Sequence, residues 1–316
     1  MENGLIISNY VIRIVAKLLS FYYHLLAVNL VLAYMNISTF YPKHPILQKY
    51  IEYYYFLKAE APDFQTNYYA FPNINIPLTL HKSAVYEIKE NYTKVQAVKN
   101  GSPAALIQKS FQQPLLVCLQ GAIDKVTISF KPFGISSFIS RTFDEVAPAD
   151  SQAFTEWKSL SSYHLFQQQF FYTNDLTERI SLLEWFLLSV YQPPAADKQM
   201  MKAIKILSDF DEDFSIDDIA AQLELSTRSF NRLFLKHMSI SPVAWKKIAR
   251  FRHSLANKLF NSQFKKLTEI GYDSNFYDQS YFIKFYKKLT GSNPTAFFKS
   301  IDKLADDKLV FRFVKE

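Results

Sequence analysis

Thr227, Arg228, Asn231 and Arg232 stand at i, i+1, i+4 and i+5 in the last third of a 316-residue chain, and Gln279, Ser280, Ile283 and Lys284 repeat that spacing 52 residues later. On a helix of 3.6 residues per turn such positions share one face. Their side chains are of the kinds that read base-pair edges. Arg matches guanine O6 and N7, Asn and Gln match adenine N6 and N7, and Thr and Ile offer methyl groups to thymine. Lys236, Lys246, Lys247, Lys287 and Lys288 lie around them, and ammonium groups so placed suit phosphates, which position a domain without reading sequence. The chemistry implied is recognition, with no covalent step.

The elements that would hold these residues also repeat with the period of 52. Ser226 meets Asp278, Phe230 meets Phe282, Leu233 meets Phe285, Phe234 meets Tyr286, Lys236 meets Lys288, Pro242 meets Pro294 and Trp245 meets Phe297. A repeated order of cap, apolar triplet, lysine, proline and aromatic marks one supersecondary unit used twice. In the first copy Ser215 reads as an N-cap, and Ile216, Ile219, Ala220 and Leu223 fall on one helical face. Glu224 and Leu225 make a turn, Ser226 caps the next helix, and Phe230, Leu233 and Phe234 pack it back. Thr227, Arg228, Asn231 and Arg232 then point outward. In the second copy Leu267, Ile270 and Gly271 form the packed face, Asn275 takes the turn and Asp278 caps. Two amphipathic helices joined by a tight turn make a helix-turn-helix, whose second helix fits the major groove. Lys246 to Asn261, with Ile248, Phe251, Leu255 and Leu259 at helical spacing, reads as one long helix joining the copies. Such a connector would set both recognition helices into successive major grooves about 34 Å apart.

Charge sharpens this reading. The chain carries +7 overall, but residues 225–300 hold 14 Lys and Arg against three acids, while the remainder is mildly acidic. A basic block of that kind suits a polyanion, either nucleic acid or an anionic membrane surface.

The length suggests two domains, and 49% hydrophobic with 16% aromatic residues indicates folded protein. Six scattered glycines cannot spell a Walker loop or a G-x-G-x-x-G fingerprint, and a lone cysteine excludes intrachain disulfides and multi-cysteine metal sites. His44, His81 and His164 lack the carboxylate spacing of a metal site. Neither catalytic residues nor a metal or other cofactor is expected.

Residues 200 to 300 resemble the DNA-binding domain of the AraC family of bacterial transcription regulators. The stretch LTEIGYDSNFYDQSYFIKFYKKLTGSNPTAF, Leu267 to Phe297, follows that family's closing motif almost position by position, and SIDDIAAQLELSTRSFNRLFLKHMSISP matches its first half more loosely. The resemblance implies a helical bundle with two helix-turn-helix units, specific promoter binding and contact with RNA polymerase, often in activation. Glu224 and Asn275 stand where the family often has turn glycines, and Ser239 where it has the glycine before the first S-P. Glu tolerates positive φ poorly, so strain is expected in the first turn.

The front of the chain reads differently. Ile74–Leu80, Ala84–Ile88, Ala105–Gln108, Leu115–Leu119 and Val126–Phe130 are short apolar or alternating runs, hence strands. A helix is expected near Ile46–Phe56 and helical packing from Ser151 to Tyr191, ending at Pro193 and Pro194. Cys118, inside LLVCL, is expected to be a buried small hydrophobe. The fragments HPILQKYIEYYYFL, FPNINIPLTLH and ISFKPFGISSFI resemble the uncharacterised sensor-like domain found at the front of many AraC-family regulators. That resemblance implies a regulatory or dimerising role, so a small-molecule effector and a homodimer are expected partners.

The fold expected is therefore an α+β, β-rich domain over residues 36–192, an all-α tandem helix-turn-helix domain over 197–300 and a tail over 301–316. Residues 1–35 form an apolar leader interrupted by Arg13, Lys17, His24 and Asn29. The expectation is that translation starts at Met35 and that the protein is cytoplasmic. A rival reading is a membrane-anchored or ligand-sensing protein whose basic domain binds an acidic partner.

Overall fold

In the computed structural model the residues described are 35–194, 197–212, 214–260, 278–304 and 309–314. The chain opens with β1 (Asn36–Phe40), α1 (Pro45–Tyr50) and β2 (Ile51–Lys58). It continues through β3 (Gln65–Ala70), β4 (Ile76–His81), β5 (Ala84–Lys89), β6 (Tyr92–Ala97), β7 (Ala104–Gln108), β8 (Leu115–Gln120) and β9 (Asp124–Phe130). A 3-10 turn at Gly134–Ser137, α2 (Phe143–Val146) and β10 (Ser151–Ala153) lead to the helical hairpin α3 (Ser161–Tyr172) and α4 (Leu176–Val190). Then come α5 (Asp197–Leu207), α6 (Ile216–Gln222), α7 (Thr227–Met238), α8 (Pro242–Phe260), α9 (Gln279–Thr290) and α10 (Pro294–Ser300). Two strands, β11 (Asp302–Leu304) and β12 (Leu309–Phe313), close the chain.

The strands form two six-stranded sheets, in the orders β1-β2-β9-β4-β7-β10 and β11-β12-β3-β8-β6-β5, antiparallel except for the β6–β8 pair. Period-two alternation assigns the faces. On β2, Tyr54 and Phe56 join Leu78, Ile107 and Ile128 against Trp157, Phe166 and Phe186 of the helical layer. Tyr53, Tyr55 and Leu57 turn the other way, onto Tyr68, Val117 and Leu119 of the second sheet. Arg179 of α4 fastens the helical layer to the strands through a bidentate pair with Asp124, at 2.7 and 2.8 Å, both side chains nearly buried.

The front domain is thus β-rich with helices, as the sequence implied, but several elements differ. The helix expected over Ile46–Phe56 stops at Tyr50, and Ile51–Lys58 is a central strand. Local periodicity did not show this, because five consecutive apolar or aromatic residues satisfy helix and buried strand alike. Ser151–Ala153 is a strand that pairs with β7 before the helices begin. Cys118 is half-buried, since Val117 and Leu119 take the core face of β8 and turn it to the opposite side. The segment 301–316, read as a tail, contributes β12, which joins the second sheet beside β3.

The helical part has two cores, one per half. Ile219, Phe230, Phe234, Trp245 and Ile248 pack with Met200 and Ala203 of α5. Phe251, Phe282, Tyr286 and Phe297 pack together around the far end of α8. Each core admits residues of the front domain, Phe133 in the first and Phe71 with Val310 in the second. Among the described residues no helix is long and apolar enough to cross a membrane, and the leader up to residue 34 lies outside them.

Candidate nucleic-acid interface

The first unit begins at Ser215, whose hydroxyl accepts from Asp218 N at 3.1 Å while Asp218 accepts from Ser215 N at 3.0 Å. This reciprocal pair satisfies two helix-end donors, and the Ser215 hydroxyl bond to the Asp218 carboxyl, with the Ser215 N–H bond second, holds that carboxyl below its ordinary value. α6 ends at Gln222 with Leu223 as its C-cap, and Glu224 after it takes the left-handed conformation at φ 57°. Leu225 N then reaches back to Ala220 O at 2.9 Å, closing the turn. Ser226 caps α7 by accepting from Ser229 N at 3.2 Å.

On α7, Phe230, Phe234 and Met238 are buried. Arg228, Arg232 and Lys236 form an exposed row at i, i+4 and i+8. Two of the four residues expected to point outward are committed within the domain. Thr227 donates its hydroxyl to Asp217 at 2.5 Å, tying α7 to α6, and Asn231 donates its amide to Thr227 O at 2.8 Å. Both remain half-buried, because a short polar side chain at the start of a helix finds backbone and cap groups before it reaches solvent. Leu235, which sequence reasoning passed over, is 49% exposed beside this row.

The second unit repeats the design. Asp278 caps α9, accepting from Ser280 N at 2.8 Å, and Phe282, Phe285, Tyr286 and Leu289 are buried. Gln279, Ser280, Ile283, Lys284, Lys287 and Lys288 are exposed, as is Tyr281 at 44%. The expected packed face Leu267, Ile270, Gly271 and the turn at Asn275 lie outside the described residues.

The repeat of 52 is visible in three dimensions. Ser239 and Gly291, equivalent in the repeat, both end their helices at positive φ, 54° and 73°. Ser241 and Asn293 both cap the following helix, accepting from Ala244 N and Ala296 N at 3.3 and 2.9 Å. Phe234 meets Trp245 edge-on at 6.0 Å, and Tyr286 meets Phe297 likewise at 5.8 Å.

α8 runs unbroken from Pro242 to Phe260, so the connector expected from Lys246 begins four residues earlier. Along it Lys247 is exposed, whereas Lys246 donates to Phe214 O at 2.8 Å and braces the turn into α6. Arg252 is half-buried against the front domain, donating to Pro72 O and Phe71 O, and loss of solvent around its guanidinium pulls it down to about 10, so it stays charged at neutral pH. At the other end, α2 packs against α7 and Ser239 donates to Ala147 O at 3.1 Å. His237 lies edge-on to Phe133, and burial lowers its pKa, with Lys236 adding to the effect and Asp144 opposing it.

A helix-turn-helix domain model matches residues 202–300. The arabinose operon regulatory protein of Escherichia coli strain K12 is 29% identical over 139 residues, which is 42% of this chain and 47% of that protein. Its Salmonella typhimurium counterpart is 28% identical over 125 residues, 39% and 44% of the two chains. The similarity to AraC-type regulators thus lies in the C-terminal, helix-turn-helix part of the chain. The chain spans less than half the length of these relatives in the aligned part. Among solved structures, ToxT from Vibrio cholerae aligns over 84% of this chain and 97% of its own, at 13% identity and a TM-score of 0.42. An unsaturated fatty acid-bound form of ToxT covers 83% and 93% at 14% identity and 0.41.

Proposed function

We propose that this chain is an AraC-type, sequence-specific DNA-binding regulator of transcription, acting in the cytoplasm on promoter DNA. The observation that carries the reading is the pair of matching capped helices α7 and α9, which present Arg228, Arg232 and Lys236 on one copy and Gln279, Ser280, Ile283 and Lys284 on the other. Arg228 and Arg232 are the base readers of the first groove, with Thr227 and Asn231 shaping the helix that carries them. Gln279, Ser280, Ile283 and Lys284 read the second. Lys236, Lys247, Lys287 and Lys288 hold phosphates.

The front domain supplies regulation. A cavity of about 90 Å³ between the sheets, lined by Tyr53, Tyr55, Tyr68, Asn75, Ser129 and Arg252, touches α8 and offers a small-molecule effector both hydroxyls and a cation. Homodimerisation and contact with RNA polymerase complete the proposed role.

The test is retention of a random duplex library by the full chain at near-physiological salt, followed by sequencing. A two-part motif with centres about one helical turn apart supports the reading. Retention without enrichment sinks it, leaving a basic surface that reads no bases.

A further inference from the structure

β12 follows the second helix-turn-helix in the chain, yet it is a strand of the front domain. Phe311, Arg312 and Phe313 pair with Ala70, Tyr69 and Tyr68 of β3, and Val314 N donates to Asn67 O at 2.8 Å. Asp302, just past α10, accepts from Phe313 N at 3.1 Å and holds the strand to the helix it leaves. Arg312 links three parts of the molecule. Its guanidinium lies over the rings of Tyr69 at 4.8 Å and Phe71 at 5.7 Å, while Nη1 donates to Ser292 Oγ at 3.2 Å. Ser292 directly follows Gly291, the C-cap of α9. The strand thus fastens the end of the second recognition helix to the front domain.

With the strand in place, front-domain groups crowd the ends of both recognition helices. Pro114 lies 4.0 Å from where a Cβ would stand at Gly291, one turn beyond Lys287 and Lys288. Against α7, the α2 turn sets the Glu145 carboxylate in the field of Lys236 and that of Asp144 in the field of His237. Carboxylates beside a lysine that holds a phosphate repel that phosphate within about 8–10 Å, the screening distance at physiological salt. Among the described residues three pairs and the Val314 bond join β12 to β3, and release of the strand must expose the buried side chains of Leu309, Val310 and Phe313.

We propose that the C-terminal strand Leu309–Phe313 is a releasable latch, which holds the second helix-turn-helix on the front domain in a closed arrangement that binds DNA weakly. The inference rests on the DNA-binding reading above. Duplex binding selects the released form, so apparent affinity scales with the fraction of molecules in which the latch is open.

The experiment uses the full chain with Cys118→Ser as background and a duplex enriched by the wild type. Arg312→Ala removes the stacked cation and the bond to Ser292. Ala70→Cys with Phe311→Cys places two thiols on a directly opposed pair, where Cα atoms lie about 4.5–5.5 Å apart, within disulfide reach. Arg312→Ala is expected to bind about fivefold tighter than its background, and the oxidised double-cysteine form at least tenfold weaker, with recovery on reduction. Recovery shows that the lock, and not misfolding, causes the loss. Equal or weaker binding by Arg312→Ala, or oxidised binding equal to reduced, overturns the latch. Failure of the wild type to enrich any duplex refutes the DNA reading instead. Amide exchange then decides the latch separately, with residues 65–70 expected to exchange at least tenfold faster in Arg312→Ala and unchanged exchange overturning it.

Discussion

Arg252 and Phe71 lie 181 residues apart, yet Nη2 of Arg252 donates to the Phe71 carbonyl oxygen at 2.9 Å while its Nε reaches the neighbouring Pro72 oxygen at 2.6 Å. The helix that joins the two recognition units is thereby bonded to the loop between β3 and β4. Arg252→Ala leaves two carbonyl groups short of a donor in a buried setting, and about 2–4 kcal/mol of stability is expected to go. Arg252→Lys, with a point charge instead of a fork, is expected to recover less than half of it. Denaturant melts of the three proteins decide this, and a loss under about 1 kcal/mol for the alanine variant would mean that water replaces the guanidinium.

The committed side chains on α7 separate the DNA-binding variants into two groups. Arg228→Ala and Arg232→Ala are expected to weaken specific binding by about 1–3 kcal/mol each. Asn231→Ala is expected to cost far less, because its amide is spent on Thr227 O at 2.8 Å. Lys247→Ala should reduce the slope of log affinity against log salt by about 1, and Lys246→Ala should leave it unchanged. Titration of a labelled duplex over a salt series reads all five, and equal effects of Lys246 and Lys247 would contradict the assignment.

Two non-glycine residues at positive φ give opposite expectations. Glu224, at φ 57°, has an exposed side chain, and left-handed backbone costs about 1–2 kcal/mol for such a residue. Glu224→Gly is therefore expected to stabilise by about 0.5–1 kcal/mol after the larger unfolded-state entropy of glycine is subtracted. Ser239 has the same backbone, φ 54°, but its hydroxyl holds Ala147 O. Ser239→Gly is expected to change stability by less than about 0.5 kcal/mol, since relief of strain offsets one lost hydrogen bond of about 1 kcal/mol. Thermal melts of the pair test both signs.

His81 is buried at 2% exposure, with Nδ1 on the Tyr86 hydroxyl at 2.9 Å and Nε2 without a partner among the described residues. Burial, with the Lys125 cation adding to it, holds its pKa well below the ordinary 6.5. The folded state binds fewer protons than the unfolded one in this window, so stability is full above about pH 6.5 and falls as pH drops toward the folded value, by up to about 1.4 kcal/mol per pH unit. His81→Gln is expected to flatten that fall between pH 7 and 5. Denaturant midpoints at the two pH values supply the measurement, and an undiminished fall in the variant would place the titration elsewhere.

Asp124 and Arg179 form a bidentate pair with side chains 10% and 4% exposed. Removing one partner strands the other charge, and Asp124→Ala is expected to destabilise the front domain by about 3–5 kcal/mol. Replacing both with apolar residues should cost less than the single change, a comparison that one double-mutant cycle provides.

The helix-turn-helix half was legible in the sequence because its determinants are local and stated twice. The apolar period of Ile216, Ile219, Ala220 and Leu223, the caps Ser215, Ser226 and Asp278, and the prolines 242 and 294 each act within a few residues of themselves, and the repeat of 52 confirmed one copy with the other. Strain at Glu224 was equally readable, since a turn that wants glycine is a backbone demand.

Tertiary structure decided what depends on distant partners. Ile51–Lys58 became a strand because β1 and β9 supply its hydrogen bonds on both edges, something no window of the chain contains. The ammonium of Lys246 is held by the Phe214 carbonyl, and the guanidinium of Arg252 by those of Phe71 and Pro72. Leu309–Phe313 pairs locally with β11, but it joins the front domain's sheet because folding brings β3 alongside it. Composition and spacing can say which groups a chain has for reading DNA. Which of those groups remain free to do so depends on the backbone carbonyls and carboxylates that folding sets beside them, and those come from segments far away in sequence.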